Sequence, residues 1–471
     1  MPTLFHHNWK SQAGLILRQA WPVLVGSWAG IVFGVLDTVM VGHSSAIDLQ
    51  AMGLGVSIYI SVFIGLMGVI HALIPITAQS FGARKLTDVG RWWGQGVWLA
   101  LLLTLIGTLG LALPDLWLRW SGDLDPLVHE RVTWYLRSLI LALPAALVFR
   151  TIYCLGTAVS RPKVVMTINL LSVLFKALFN WLFIFGKAGL PAMGAVGSGL
   201  STALVSWLML LAGLWVLRTD PFYQPFRLRL GLPDWRSQKE LLRLGLPMGG
   251  SYLIEICAFS FMALLVAREG VFVSGAHQIM ANLAAVCFMV PMAVGVASAS
   301  VSAQAIGAGQ FHRARHIGML GLALVLAGVL VIVSLLVLLR PTLAHAYTDD
   351  PEVALLALLL LQLLPYFHFC DAFQCVISYL LRAYKVAFVP MLLQFLALSV
   401  LGLGGGWWLG FGPAAGSLDG ILQRLAPGAP TGAASLWLMA SLGLGASAFL
   451  LLLWYARILR IHNPARRARP S

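Results

Sequence analysis

The sequence predicts an all-α polytopic membrane protein, with twelve transmembrane helices arranged as two pseudo-symmetric six-helix bundles, and three observations support this prediction. First, 59% of the 471 residues are hydrophobic and only 10% are charged, whereas soluble domains carry about 25% charged residues. Second, apolar stretches of the roughly 20 residues that span a bilayer recur along the whole chain. Third, motifs of the first half recur in the second half at a nearly constant spacing. Together these observations exclude a soluble fold.

Twelve apolar stretches, separated by charged, Pro or Gly residues, define the predicted spans. They are continuously apolar and lack the alternation of outer-membrane strands, which favours helices over a β-barrel. Residues 1–13 are polar and the first stretch is long enough to remain as a helix, so we expect no cleavable signal peptide. In chain order the predicted spans are residues 14–40, 51–76, 93–116, 131–154, 164–186, 194–217, 241–267, 276–303, 314–339, 353–379, 386–411 and 433–457.

The basic residues lie mainly on one side of the predicted membrane. Both termini and the loops that follow even-numbered spans hold 22 of the 31 Lys and Arg, six of them between residues 218 and 243. The opposite loops hold few basic residues and two acidic clusters, at 123–130 and 349–352. Because positively charged loops stay in the cytoplasm, we predict a multi-pass protein of the bacterial inner (plasma) membrane with both termini cytoplasmic. The net charge of +14 thus reflects topology and not nucleic-acid binding, and contact of the 218–243 loop or of the Arg466–Arg469 tail with anionic membrane lipids is left open.

An internal repeat relates the two halves. Three pairs of motifs carry it, the first two 225 residues apart and the third 221: Leu17–Pro22 with Leu242–Pro247, Thr77–Ala83 with Ser302–Ala308, and Leu143-Pro144 with Leu364-Pro365. The halves, residues 1–225 and 226–471, each hold six predicted helices and are joined by a basic connector at about 218–243. Because parallel repeats of this kind enclose a substrate cavity between them, we expect transport by rocking of one half against the other.

Three acidic residues lie well inside predicted spans, although the chain has 17 Asp and Glu in all. They are Asp37, Glu255 and Asp371. Glu255 is about 18 Å along its helix from Arg243, which places it near the middle of the membrane. An ionised carboxylate there costs on the order of 3 kcal/mol, so it needs a partner, a water-filled cavity or a function. Carboxylates bind hard cations and attract organic cations, so these residues are candidates for binding the coupling ion and the substrate; the alternative is a buried salt bridge.

No soluble catalytic or nucleotide-binding motif is present. The chain has no GxxxxGKS/T, HExxH or GxSxG sequence and no clustered metal ligands. We therefore predict that the protein is not an enzyme and needs no cofactor. An ion gradient, and not ATP, would then supply the energy for transport.

Several motifs carry a family resemblance. They are distributed over both halves: Trp21-Pro22, Leu36–Gly42, Ala78-Gln79 with Gly82-Ala83, Asn180–Gly186, Gly245–Pro247 with Glu255, Ala276–Ile279, and Ser302–Gln304 followed by Gly307. On these motifs, the chain resembles the bacterial multidrug and toxic compound extrusion (MATE) transporters of the NorM-like branch, from about residue 14 to 457. The resemblance implies a MATE-like fold and the export of small cationic drugs or dyes in exchange for inward H+ or Na+. We expect the transporter to function as a monomer.

The resemblance also implies roles for individual residues. In relatives, the equivalents of Glu255 and Asp371 belong to a second-lobe cation site, which makes these two carboxylates the candidate Na+ ligands. The equivalent of Asp37 belongs to a first-lobe site together with Asn180 and Thr202.

One departure from the family pattern concerns the first lobe. Lys176 stands one helical turn before Asn180, where many relatives have Asn. Its charge predicts an ion pair with Asp37. Such a pair would partly neutralise the first-lobe site and weaken its binding of an external cation.

A second departure concerns the residues before Asp371. Phe367, flanked by Tyr366 and His368, stands where sodium-coupled relatives can offer Tyr. The loss of that oxygen favours protons as the coupling ion. His368 precedes Asp371 by three residues, and a place on the same helical face would allow a role in coupling; a packed histidine is the alternative.

Three other functions stay open on the sequence. A lipid-linked oligosaccharide flippase of the same superfamily would need a cavity rich in Arg and Lys to hold a diphosphate, whereas the basic residues within spans are chiefly Arg150 and Lys176, against three carboxylates. An integral membrane enzyme would need paired acidic motifs at a cavity rim, and the repeat argues against it. A passive channel would be separated from an antiporter by a test for uphill drug accumulation in vesicles.

Overall fold

The structure, a computed structural model, describes residues 9–119 and 125–462. Within these residues, eleven helices are long and apolar enough to cross a membrane, one bent pair makes a twelfth span, and no β-strand occurs. Each predicted span falls on one of these helices, so the predicted all-α polytopic class is confirmed. In chain order they are α1 Trp9–Gly42, α2 Ala46–Gly82, α3 Leu86–Ala112, α4 Pro126–Ala158, α5 Pro162–Ile184, α6 Gly194–Thr219, α7 Trp235–Val266, α8 Val271–Gly307, α9 Phe311–Tyr347, α10 Pro351–Leu360 with Leu364–Ala383, α11 Phe388–Gly410 and α12 Thr431–Ile461.

Helices α4 and α10 begin with the same Asp-Pro cap. The Asp125 side chain accepts a hydrogen bond from the backbone N–H two residues ahead at 2.8 Å, and Pro126 occupies the first turn of α4. Asp350 accepts an equivalent hydrogen bond at 2.9 Å, and Pro351 follows it. An Asp cap satisfies a free N–H of the first turn, where Pro is tolerated. The two caps are 225 residues apart, so the repeat includes them and each acidic loop cluster contributes a helix cap.

The repeat-related helices α4 and α10 differ in continuity. Pro144 follows Pro126 by 18 positions and lies inside the unbroken α4. Pro365 follows Pro351 by only 14 positions, and α10 breaks just before Pro365 and bends by 51°. The four missing residues correspond to about one helical turn, and Pro365 has no backbone N–H with which to continue the helix. The single span predicted at 353–379 is therefore a bent pair of helices.

The described residues form two compact units, one within residues 21–249 and the other from residues 9–20 with 250–462. In the first unit α4 is the central helix, and it packs against α2, α3 and α6. It is apolar around most of its circumference and largely buried, as expected for the core of a helix bundle. The predicted boundary of the repeat between residues 225 and 226 stays a prediction.

In the second unit, α8, the second segment of α10 and α12 form the packed centre. Helix α11 is π-helical from Leu396 to Gly405 and packs along α12. A Cβ at Gly402 or Gly406 would meet the backbone of α12 at 3.1 or 2.8 Å, so only glycine allows this close approach. Gln394, two residues before the π-helical segment, is buried.

The connector between α6 and α7, residues 220–234, is docked on α3. Gln95 of α3 donates a hydrogen bond to the backbone carbonyl of Leu232 at 2.8 Å. Arg91, one helical turn earlier, forms an ion pair with Asp234 at 3.0 Å. These contacts hold the connector against the first unit.

Candidate functional site

The Asp37 cluster comprises Asp37 of α1, Lys176 and Asn180 of α5, and Thr202 of α6. Lys176 and Asn180 are one helical turn apart and share a face of α5. Both contact the same carboxylate oxygen: Lys176 Nζ lies 2.8 Å from Asp37 Oδ1, and Asn180 Nδ2 donates to that oxygen at 2.7 Å. The ion pair predicted from the sequence is therefore present in the structure.

The ammonium group of Lys176 uses all its hydrogen-bonding capacity. Besides Asp37, it donates to Thr202 Oγ1 at 2.7 Å and to the backbone carbonyl of Ser198 at 3.1 Å. Since an ammonium has three donors, none remains free. Lys176 and Asn180 are fully buried and Asp37 is 9% exposed, so either charge alone would carry a large desolvation cost. The Asp37 carboxylate is thus occupied by an internal cation.

The carboxylate pair, Glu255 and Asp371, has a different environment. Glu255 lies on α7 and Asp371 on the second segment of α10; both are half-buried and close enough to interact electrostatically. Glu255 accepts one long hydrogen bond, at 3.4 Å, from Gln394 Nε2 of α11. Across residues 9–119 and 125–462, no basic side chain forms an ion pair with either carboxylate, and no donor hydrogen-bonds to Asp371.

Of three aromatic residues at the start of the second α10 segment, one is exposed and two are buried. Tyr366 is 48% exposed. Phe367 is buried, and its ring packs edge-on against Trp437 at a centroid distance of 4.9 Å and against Phe259 at 6.0 Å. His368 is also buried, and its Nε2 has no hydrogen-bond partner among the residues that the structure describes. Phe367 thus offers no oxygen to a cation, and a role of His368 in coupling stays a prediction.

Arg382 is a residue whose environment the sequence analysis missed, because its position predicted a cytoplasmic loop. It is only 6% exposed, and its guanidinium carbon lies 4.6 Å from the ring centroid of Tyr379 and 5.5 Å from that of Tyr252. The two tyrosine hydroxyls are 2.7 Å apart, and Arg382 Nη1 donates to Tyr252 Oη at 3.4 Å. Tyr252 precedes Glu255 by one helical turn, and Arg382 attracts the Glu255 carboxylate electrostatically.

The internal repeat concealed this role of Arg382. The repeat aligns Arg382 with Arg161, which is an exposed residue paired with Asp220 at 2.8 Å. Tyr379 could have indicated this environment, because a Tyr three residues before an Arg lies on the same face of a helix. Gln394 of α11 was missed as well, because an isolated Gln in an apolar span carries no pattern.

The carboxylate pair is the part of the site with charge available to a ligand. Carboxylate oxygens bind hard monovalent cations, accept protons and attract organic cations. The side chains that the structure describes include no group of three His, Cys, Asp or Glu placed to hold a metal ion. The family resemblance implies Glu255 and Asp371 as the candidate Na+ ligands, and this role stays a prediction.

Relatives of known sequence agree with this architecture. The MatE family model matches residues 22–182 and 247–408, one match within each predicted half. A protein of Aromatoleum aromaticum named probable multidrug resistance protein NorM is 37% identical over 401 residues, which cover 85% of this chain and 86% of the relative. The probable multidrug resistance protein NorM of Chromobacterium violaceum is 32% identical over 465 residues, which cover 97% of each chain.

Solved structures share the fold. The eukaryotic MATE transporter AtDTX14 has a TM-score of 0.84 at 18% sequence identity and covers 96% of this chain and 98% of its own. The Vibrio cholerae MATE transporter VcmN in its bent form has a TM-score of 0.82 at 17% identity, over 97% of this chain and 98% of its own. From the family match and the long alignments with NorM proteins, the chain belongs to the MatE family, within the NorM-like branch of the MATE transporters.

Proposed function

We propose that this chain is a secondary active multidrug efflux antiporter that exports organic cations in exchange for inward H+ or Na+. The observation that carries the proposal is the carboxylate pair, Glu255 and Asp371, which is half-buried inside membrane helices and has no ion-pair partner among the described residues. Such a carboxylate in a membrane needs a partner, a water-filled cavity or a function, and the partner in this proposal is a cation from outside the protein. The names of relatives, multidrug resistance proteins NorM and MdtK, support drugs as one class of those cations.

Shared carboxylates would couple the two cations. If the organic cation and the coupling ion both need Glu255 and Asp371, binding of one lowers the affinity for the other, and the factor is the same in both directions. Entry of the ion down its gradient would then displace the drug. Both carboxylates must therefore be able to carry charge.

We favour H+ over Na+ as the coupling ion. A hard metal cation is bound by several oxygens, whereas a proton needs one carboxylate oxygen. Phe367 supplies an apolar ring, packed against Trp437, where a Tyr could have supplied a hydroxyl.

Two basic residues inside the spans, Lys176 and Arg382, support a cationic substrate over a lipid-linked diphosphate. Lys176 is saturated by Asp37, Thr202 and a backbone carbonyl. Arg382 is held between two tyrosine rings. Neither of these charges is free to bind a phosphate group.

We also propose that the protein lies in the bacterial inner membrane with both termini in the cytoplasm, and that it works as a monomer. Exposed arginines and lysines of the 218–243 segment support this orientation by the positive-inside rule. Everted membrane vesicles would then present the drug-loading side to the medium.

The test is ethidium transport in everted vesicles under separately imposed H+ and Na+ gradients. We expect the unmodified chain to respond to one of the two gradients, and Glu255→Gln and Asp371→Asn each to reduce gradient-driven transport to background. Glu352→Gln is the matched control, because Glu352 is exposed near the start of α10 and should leave transport unchanged. Immunoblots would confirm equal amounts of each variant in the membrane.

The two gradients separate the parts of the proposal. A response to Na+ alone would overturn proton coupling but leave antiport in place. Full transport by both amide variants at normal expression would refute the carboxylate pair as the coupling site. Equilibration without uphill accumulation would identify a passive channel.

A further inference from the structure

The connector surface comprises Arg229, Leu232, Trp235, Arg236 and Lys239, at the junction of the connector and α7. Its three basic side chains are exposed. Within residues 9–119 and 125–462, none of the three forms an ion pair. The surface therefore presents positive charge that is available to an external anion.

The two aspartates of the connector are already paired with other residues. Asp220 pairs with Arg161 at 2.8 Å. Asp234 accepts a hydrogen bond from the Ser237 hydroxyl at 2.6 Å and pairs with Arg91 at 3.0 Å. The Ser237 hydroxyl and the other donors hold the pKa of Asp234 below its usual range, so this carboxylate stays ionised and bound at neutral pH. Neither aspartate is available to neutralise the connector surface, and Glu240, which is adjacent to Lys239 in the sequence, also has a partner.

Large apolar side chains lie among these charges. Leu232 is 87% exposed and Trp235 is 72% exposed. Exposed Leu and Trp beside Arg and Lys are typical of segments that lie in a membrane interface, with the apolar groups at the acyl boundary and the charges at the headgroups.

The contacts with α3 fix the depth of this surface. Gln95 donates to the carbonyl of Leu232 at 2.8 Å, and Trp98 donates to the carbonyl of Gly231 at 3.2 Å. Gln95 and Trp98 lie two and five residues inside the predicted span at 93–116, which is about 3 and 8 Å along the helix. The tip of the connector is therefore held at the edge of the hydrocarbon layer.

We propose that the connector surface is a binding site for anionic phospholipid headgroups. Leu232 and Trp235 would insert at the acyl boundary, and Arg229, Arg236 and Lys239 would contact the lipid phosphate. The docking on α3 means that the surface is already formed before lipid binds, so little ordering entropy opposes binding. The site is independent of which compound or ion the protein transports.

The test is native mass spectrometry of the detergent-purified full chain with phosphatidylglycerol and, separately, phosphatidylcholine. We expect preferential binding of phosphatidylglycerol, and a loss of roughly tenfold or more in its affinity in the double variant Arg229→Gln with Arg236→Gln, because both arginines would contact the lipid phosphate directly and such charge-assisted contacts are strong. The control is Arg457→Gln with Arg460→Gln, which removes two exposed charges near the end of α12 and should leave the affinity unchanged.

A separate variant tests the apolar contribution. Leu232→Ser should weaken binding of both lipids by a similar factor, because it removes apolar contact and no charge. Thermal unfolding in detergent, which does not depend on lipid, would show that each variant is folded. Unchanged phosphatidylglycerol affinity in the connector double variant, or an equal loss in the Arg457 and Arg460 control, would overturn the site.

Discussion

The Asp37 cluster and the Glu255–Asp371 carboxylate pair are both acidic sites within membrane helices, but their surroundings are opposite. Asp37 is bonded by an ammonium and an amide, at 2.8 and 2.7 Å. The carboxylate pair has one hydrogen bond of 3.4 Å, from Gln394, and no ion pair with a described residue. The comparison separates an acidic residue that holds helices together from acidic residues that remain available to an external cation.

The largest effect on stability is expected from Lys176→Ala. The substitution leaves the Asp37 carboxylate buried with only Asn180 as a partner, so the free energy of unfolding should fall by about 3–5 kcal/mol. Reversible unfolding in mixed detergent and SDS micelles would measure the change. Lys163→Ala is the control on the same helix, because Lys163 is exposed and should cost only about 0.5 kcal/mol.

A double variant tests whether this effect comes from the pair. Lys176→Ala combined with Asp37→Asn removes both charges, so part of the lost stability should return. If the double variant is as unstable as the sum of the two single variants, the ion pair does not contribute to stability.

A smaller loss is expected from Asn180→Ala, which removes the amide but leaves Lys176 on Asp37. A hydrogen bond to a charged group contributes about 1.5–3 kcal/mol, so the unfolding free energy should fall by about 2 kcal/mol. Asn282→Ala is the matched control, since the exposed Asn282 amide bonds only the backbone carbonyl of Gln278 on its own helix. Equal losses from the two substitutions would show that the hydrogen bond to Asp37 contributes no more to stability than the Asn282 hydrogen bond does.

Arg382→Lys sharpens the comparison beside the carboxylate pair. Lysine keeps the positive charge but loses the planar group that stacks on Tyr379 and Tyr252, so we expect a loss of about 1–2 kcal/mol. The same substitution at Arg218 of α6, an exposed arginine with no ring contact or ion pair among the described residues, should have a smaller effect. Thermal unfolding of the two variants side by side would measure the difference, and equal melting temperatures would contradict it.

The smallest effect on stability is expected from Asp371→Asn. The substitution breaks no ion pair or hydrogen bond with a described residue and removes a charge from the membrane interior. The unfolding free energy should therefore stay within about 1 kcal/mol of the unmodified chain or rise, although transport is lost. A loss of unfolding free energy as large as that of Lys176→Ala would show that Asp371 has a structural partner. It would contradict the difference between the two acidic sites.

The features that could be predicted from the sequence are those set by composition and by strong energetic costs. Membrane spans follow from apolar length alone, and the Lys176–Asp37 pair follows from the cost of leaving either charge unpaired in a membrane. The break in α10 could not be singled out, because Pro365 is one of several prolines in or near the predicted spans and each of them allows a bend. Pro365 follows Asp350 by four fewer residues than Pro144 follows Asp125, and this difference indicates the break. It becomes visible only when the Asp125 and Asp350 caps are aligned.

Burial at the ends of spans was the other feature that could not be predicted. Arg382 precedes Lys385 by three residues in the sequence, so charge patterning places both in a loop. In the structure, Arg382 is nearly the last residue of its helix and is buried by tyrosines of two helices. Such an environment is set by contacts between segments that are distant in the sequence, and no local sequence pattern indicates those contacts.

The saturation of Lys176 has an electrical consequence. Because Lys176 and Asp37 neutralise each other, movement of this pair along the membrane field does no net electrical work. An uncompensated unit charge that crosses the whole field gains or loses about 2.3 kcal/mol for each 100 mV of membrane potential. The membrane voltage therefore exerts no net force on the Asp37 cluster and acts instead on the charges of Glu255 and Asp371.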